Sequence, residues 1–233
     1  MSDSSRRQEL AARLAVVRKR IAAACDAAGR DAAEVTLVAV TKTFPASDVR
    51  LLYGLGVADI GENRDSEAAP KAAQCADLDL TWHFIGQLQT NKAGSVARYA
   101  GCVHSVDRLR LVGALGKAAR GAGREINCLV QVSLDGNPAR GGAVAAEVPL
   151  VAEALAAEPG LVLSGVMAIA PLGMAPSDAF ARLRDSASDV RAVSPAATVI
   201  SAGMSADLEE AVAAGATHLR IGTALLGDRP RVR

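Results

Sequence analysis

Apolar residues in this chain fall into short unbroken runs bounded by Gly, Asn, Asp or Pro. Runs near residues 35–42, 57–62, 80–86, 102–106, 127–134, 161–169, 198–203 and 218–222 predict eight β-strands. Between them lie Ala-rich stretches with apolar residues at helical spacing, for example 144–157 and 206–214, and residues 6–28 predict a helix ahead of the first strand. Strands that are apolar throughout, instead of alternating, are covered on both faces, as in parallel sheets. The repeated strand–helix order therefore predicts an α/β protein: a single (β/α)8 TIM barrel with an extra N-terminal helix, spanning residues 1–233 as one domain. An open doubly wound sheet is the alternative. Ser47, Asp48, Asp107, Ser177, Asp178 and Ser205 stand at predicted helix starts, where their oxygens can accept hydrogen bonds from first-turn amides.

Composition narrows the class of partner. With 26 basic and 25 acidic residues and a net charge of +1, the chain carries no footprint for nucleic acid or an anionic membrane. The start, MSDSSRRQEL, lacks the apolar stretch of a signal peptide, and no apolar segment reaches the ~18 residues of a membrane span, so a cytoplasmic protein is expected. Cys25, Cys75, Cys102 and Cys128 have neither CxxC spacing nor a His at ligand spacing; they predict small buried hydrophobes, with no metal site.

In a parallel barrel every strand C-terminus emerges on one face, which would gather Lys42, Asn63, the end of WHFIG, Met167, Ser201 and Arg220. Lys42 ends the run VTLVAVTK. An amine adds to a carbonyl only when neutral, a form that partial burial among apolar strands favours, so a strand-mouth lysine is a candidate for an imine; alternatively it is a solvated strand end. The loops after strands seven and eight are the recurrent phosphate site of such barrels. Here they read SAGMSADLEEA and LRIGT: Ser201 offers a hydroxyl, Gly203 close backbone approach, Met204 and Ser205 amides at a helix start, and Gly222 and Thr223 a second wall. An amine facing a phosphate cradle points to pyridoxal 5'-phosphate (PLP). Arg220 shares an inward face with Gly222 by strand alternation, and either reaches the cofactor ring or pairs with a carboxylate such as Glu62. His83 is a candidate for the mouth or, as a core residue, a partner of a neighbouring strand end. Gln87, Gln89, Asn91 and Lys92 begin the next predicted helix.

VTLVAVTKTFP, DIGENRDSEA, TWHFIGQLQTNKAGSV, SAGMSADLEEAVAAG and HLRIGTALLG together resemble the pyridoxal phosphate homeostasis protein family, single-barrel relatives of the alanine racemase N-terminal domain. The resemblance runs from about residue 35 to 227, with WHFIGxLQxNK as its specific signature. It implies PLP held as an imine on Lys42, Asn63 near the ring and Arg220 at the pyridine nitrogen. It also implies a phosphate held by Ser201, the Met204 and Ser205 amides, Gly222 and Thr223. Two positions depart from the family: Arg64 stands where an aromatic residue usually follows GEN, and SLDGNPARGG, with Arg140, replaces a Lys-containing stretch.

A cation at the pyridine nitrogen weakens PLP as an electron sink and favours holding the cofactor over carbanion chemistry. Racemisation needs two proton-transfer groups on opposite faces of the substrate, a Lys and typically a Tyr. The resemblance implies that alanine racemase takes the second from an added β-domain, for which this chain has no room after strand eight. Tyr53 and Tyr99 fall near helix ends, on the far side of the expected barrel. The expectation is a non-catalytic PLP carrier that holds, buffers or delivers the cofactor, with PLP-dependent apoenzymes as partners and a monomeric state. A racemase or lyase using His83 or water, and a cofactor-free phosphate-binding enzyme with Lys42 as a clamp, are the alternatives.

Overall fold

In the computed structural model, which describes residues 3–137 and 141–228, eight parallel strands close into a barrel in chain order. They are β1 (Thr36–Val40), β2 (Asp59–Glu62), β3 (Thr81–Phe84), β4 (Cys102–Val106), β5 (Ile126–Gln131), β6 (Leu161–Met167), β7 (Val199–Ser201) and β8 (His218–Ile221). The ring closes through β8 on β1, with Arg220 opposite Val38. Each apolar run yields a strand, and several strands stop before the run does. Ile85, Ile169 and Gly203, for example, leave the ladder to build the rim.

The helices are α1 (Asp3–Ala27), α2 (Ala46–Tyr53), α3 (Asp65–Gln74), α4 (Ala93–Val96), α5 (Leu109–Gly121), α6 (Val148–Ala157), α7 (Pro176–Val193), α8 (Leu208–Ala213) and α9 (Thr223–Leu226). The helix ahead of the barrel is α1, whose Leu10, Leu14, Val17, Ile21 and Ala24 repeat every three to four residues and form one buried stripe. That stripe packs on α8, α9 and α2. Arg6 pins it at one end, donating to Asp48 and to the Leu226 carbonyl, and Arg20 at the other, donating to Glu209 and the Ser205 carbonyl.

The capping expectation is corrected. None of α2, α5, α7 or α8 receives a side-chain cap. Asp48 is taken by Arg6, Asp107 accepts the Gly142 amide, and Ser205 accepts the Ala224 amide. Asp48 thus ties α2 to α1, Asp107 one rim loop to the next and Ser205 its loop to α9, instead of finishing their own helices. Pro176 opens α7 with a residue that has no amide to satisfy.

At Gly165 the chain has φ +151°, and a Cβ there would lie 1.9 Å from the Val199 carbonyl oxygen, so only glycine lets β6 lie this close to β7. The four cysteines are buried and form no disulfide. Among the described residues no helix is long and apolar enough to cross a membrane. Arg140 lies outside the described residues.

Candidate functional site

At the C-terminal mouth of the barrel lies a cavity of about 410 Å³, whose walls include Lys42, Phe44, Asn63, Gln87, Gln131, Ile169, Met204, Ser205, Arg220, Gly222 and Thr223. Such a volume suits a small cofactor. Among the described residues its lining holds one amine and one guanidinium and no carboxylate. An anion is therefore the ligand that this charge balance favours.

Lys42 is half-buried just past β1, and both of its neighbours are anchored. On one side the fully buried Thr41 hydroxyl donates to Glu62 Oε1 at 2.6 Å. The same carboxylate is paired with Lys71, whose ammonium also donates to the Thr41 carbonyl at 2.9 Å. On the other side Thr43 takes a left-handed φ of +69°, costing about 1–3 kcal/mol, and its amide donates to Glu67 Oε2 at 2.9 Å. The lysine thus leaves the barrel from a turn fixed at both ends. Burial pushes the Glu62 carboxyl up from its ordinary range, with Lys71 and Thr41 opposing that rise.

Asn63 is set by Gly86. A Cβ at position 86 would stand 2.1 Å from the Asn63 carbonyl oxygen, so the β3 loop reaches the β2 loop only without a side chain there. Arg220 is buried and, among the described residues, pairs with no carboxylate; it donates to Ser201 Oγ at 2.6 Å and to the Ala168 carbonyl at 2.8 Å. Desolvation brings its pKa down to about 10, which leaves it charged at neutral pH.

Lys42, Asn63, Met204, Ser205, Arg220, Gly222 and Thr223 are thus brought to one cavity. Three sequence-based expectations differ from the structure. Ser201 and Met167 do not line the cavity; they are buried opposite each other in the sheet, and Ser201 is level with His218, two residues below Arg220. His83 does not reach the mouth: its Nε2 meets Asp59 Oδ1 at 2.9 Å and its Nδ1 meets His104 Nε2 at 2.8 Å, within the barrel. The Met204 amide donates to Asp207 Oδ1 at 2.6 Å, because α8 begins only at Leu208 and the acid folds back across the turn. Arg64 is exposed and 3.7 Å from Glu67.

Phe44, Gln131 and Ile169 are lining residues that sequence reasoning missed. Gln131 carried a signal, being a polar residue set between Val130 and Val132 inside the run 127–134. Gln87 lines the cavity from an irregular segment ahead of the 3-10 turn Thr90–Lys92, instead of from a helix. Neither tyrosine lines it: Tyr53 ends α2, and Tyr99 packs edge-on against Trp82 and donates to Asp65.

The family model described as "Alanine racemase, N-terminal domain" matches residues 8–230. A Mycobacterium tuberculosis protein named Pyridoxal phosphate homeostasis protein is 45% identical, covering 96% of this chain and 94% of the relative. An Escherichia coli protein of the same name is 36% identical over 95% of this chain and 97% of its own. Among solved structures, PipY of Synechococcus elongatus, described with PLP bound, superposes with a TM-score of 0.82 at 36% identity, covering 94% of this chain and 100% of that one. Alanine racemase from Corynebacterium glutamicum shares the fold at 16% identity and a TM-score of 0.66, with 91% of this chain and 60% of that chain covered. With a barrel matched nearly end to end at this identity, the chain belongs to the pyridoxal phosphate homeostasis protein family, within the alanine racemase N-terminal domain superfamily of barrels.

Proposed function

We propose that this protein binds PLP as an imine on Lys42 and holds, buffers or delivers it, without turning over a substrate of its own. One observation carries the reading: an amine and a buried guanidinium share a cavity whose described lining residues include no carboxylate. PLP supplies a carbonyl at one end of its ring system, a phosphate at another and a pyridine nitrogen that can act as an electron sink. Lys42 suits the carbonyl, Arg220 the pyridine nitrogen, and the loops 204–206 and 222–223 the phosphate. Ser205 Oγ accepts the Ala224 amide at 3.2 Å, which leaves the serine proton free to donate into the cavity. Similarity to PipY, described with PLP bound, supports the same reading.

A holding role is favoured over racemisation by two features. Arg220 is positively charged at neutral pH and, among the described residues, is hydrogen-bonded to a hydroxyl and a carbonyl and to no carboxylate, so a pyridine nitrogen facing it stays unprotonated. Both tyrosines lie away from the cavity, which leaves no phenol opposite Lys42 among the described lining residues. Apoenzymes that use PLP are the partners this role implies. The test is absorbance of the purified protein with added PLP, followed by borohydride reduction and peptide mass spectrometry. The expected result is an imine band and an adduct on Lys42, both lost in Lys42→Ala. A colourless wild-type protein refutes the proposal, and α-proton exchange of amino acids in deuterated water well above free PLP refutes the holding role.

A further inference from the structure

Inside the barrel, below the cavity, Asp59, His83, His104, Ser201 and Arg220 form a continuous line of polar contacts. Asp59 Oδ1 to His83 Nε2 is 2.9 Å, His83 Nδ1 to His104 Nε2 is 2.8 Å, His104 Nδ1 to Ser201 Oγ is 2.9 Å, and Arg220 to Ser201 Oγ is 2.6 Å. His83, His104, Ser201 and Arg220 are buried, and Asp59, at the start of β2, is one-third exposed at the opposite mouth.

With both imidazoles neutral, the two ends fix where every proton lies. Arg220 has donors only, so Ser201 Oγ accepts from it, and the serine proton is available for His104 Nδ1. At the far end a carboxylate accepts only, so a neutral His83 carries its proton on Nε2 and presents a bare Nδ1. His104 fits between them in one form: bare at Nδ1, protonated at Nε2. All four hydrogen bonds then point the same way, from the guanidinium to the carboxylate. Turning over either imidazole would set two protons or two lone pairs face to face, at the cost of leaving buried polar atoms unsatisfied. A charged His104 is disfavoured by burial first, and then by His83, Arg220 and His218.

Cys102 lies close enough to His83 and His104 for the three to suggest a metal site, with their ligand atoms within 4.8 Å of one another. The separation of the two nitrogens decides against it. Two nitrogens on one tetrahedral ion, each at about 2.0–2.1 Å, stand about 3.3 Å apart, whereas the observed 2.8 Å is a hydrogen-bond length. Burial also pushes the Cys102 thiol up to about 12, away from a ligating thiolate.

We propose that Asp59, His83, His104 and Ser201 are positioning residues for Arg220: a one-way hydrogen-bonded line, anchored at the far mouth of the barrel, that fixes the guanidinium against the ring nitrogen of bound PLP. This rests on the reading of the cavity given above. Ala168 holds one nitrogen of the guanidinium through its backbone, and the line holds another through Ser201, so the fork is fixed at two points and cannot swing. A serine whose own proton is held by His104 offers Arg220 a lone pair in a set direction. A serine free to rotate does not.

The test has two arms. In the PLP-free protein, side-chain nitrogen-15 NMR at neutral pH should show His83 and His104 both neutral, both protonated at Nε2 and both protected from solvent exchange. An Nδ1-protonated or cationic form of either ring overturns the line. In the PLP-loaded protein, with nitrogen-15 in the pyridine ring, His104→Leu should shift the ring nitrogen resonance and the imine band. His104→Asn, whose side-chain oxygen replaces Nδ1 as acceptor, should restore both toward wild type. Should His104→Leu not fold, Ser201→Ala cuts the line beside Arg220 and is expected to give the same shifts. A ring resonance unchanged in the folded variant overturns the positioning role. Failure of wild-type protein to take up PLP overturns the cavity reading and this role with it, whereas the tautomer arm reports on the line independently.

Discussion

Removing Lys71 tests the support beneath Lys42. Lys71→Met keeps the length and apolar stem of the side chain and deletes only the ammonium, which is paired with Glu62 and bonded to the Thr41 carbonyl. Glu62 is fully buried, and among the described residues its Oε2 already lacks a hydrogen-bond partner, so the carboxylate would keep one described partner, the Thr41 hydroxyl. Breaking a buried pair on one side costs about 3–5 kcal/mol. At about 2–4 °C per kcal/mol for a chain of this size, the melting temperature falls by about 6–20 °C at pH 7.

The pH dependence follows from the direction of the Glu62 shift. Its folded-state pKa lies above the ordinary value because of burial, and removing Lys71 takes away a group that lowers it. A raised folded-state pKa means that the protonated carboxyl favours folding below the unfolded pKa, and that this contribution is lost as pH rises through the folded pKa. The penalty of Lys71→Met is therefore largest at neutral pH and shrinks toward pH 5. The double variant Lys71→Met with Glu62→Gln, which buries a neutral amide in place of a carboxylate, should recover more than half of the loss. Urea unfolding at pH 5 and pH 7 of wild type, both single variants and the double measures the coupling. A loss under about 1 kcal/mol for Lys71→Met at pH 7, or an equal loss at both pH values, would refute the reasoning.

The remaining predictions concern the turns that shape the cavity and the helix that braces it. Gly86→Ala forces a Cβ against the Asn63 backbone, with no flexible side chain to give way; it should cost about 1–3 kcal/mol in urea unfolding and weaken PLP uptake together, and a neutral result on both would contradict the close approach. Gly203→Ala meets both a left-handed φ of +86° and a Cβ 2.6 Å from that of Ala211, so a loss of about 2–4 kcal/mol is expected by the same measurement. Arg6→Ala strands Asp48, whose side chain is 7% exposed, and frees the Leu226 carbonyl; about 1–3 kcal/mol should be lost, and hydrogen exchange should rise first in α1 and α9.

What the sequence made legible, and what it did not, divides along one physical line. Apolar runs report burial on both faces, and burial is a local property of the chain, so the eight strands, the helix ahead of them and the strand-end position of Lys42 can all be read without knowing how the strands pair. Gly203 is readable for a similar reason, since glycine at a strand end marks close approach, and a Cβ there would stand 2.6 Å from that of Ala211. Height along the barrel axis is different, because it depends on the stagger between neighbouring strands. Expecting every strand to end at the cavity placed Met167 and Ser201 in its wall. In the barrel β7 is short and pairs its last residue with the first of β8, so Ser201 lies opposite His218 and Met167 opposite Ser201, one layer beneath Arg220. A closed barrel requires such a stagger, and nothing in the composition of a single strand encodes it. The same layer holds His104, so the displacement of Ser201 from the expected cradle gives Arg220 its partner. The residue expected in the cavity wall is hydrogen-bonded to the guanidinium from beneath, and the wall on this side is made by Ser205, Gly222 and Thr223. Those residues belong to loops, whose backbone can reach the cavity wherever the strands beneath them end.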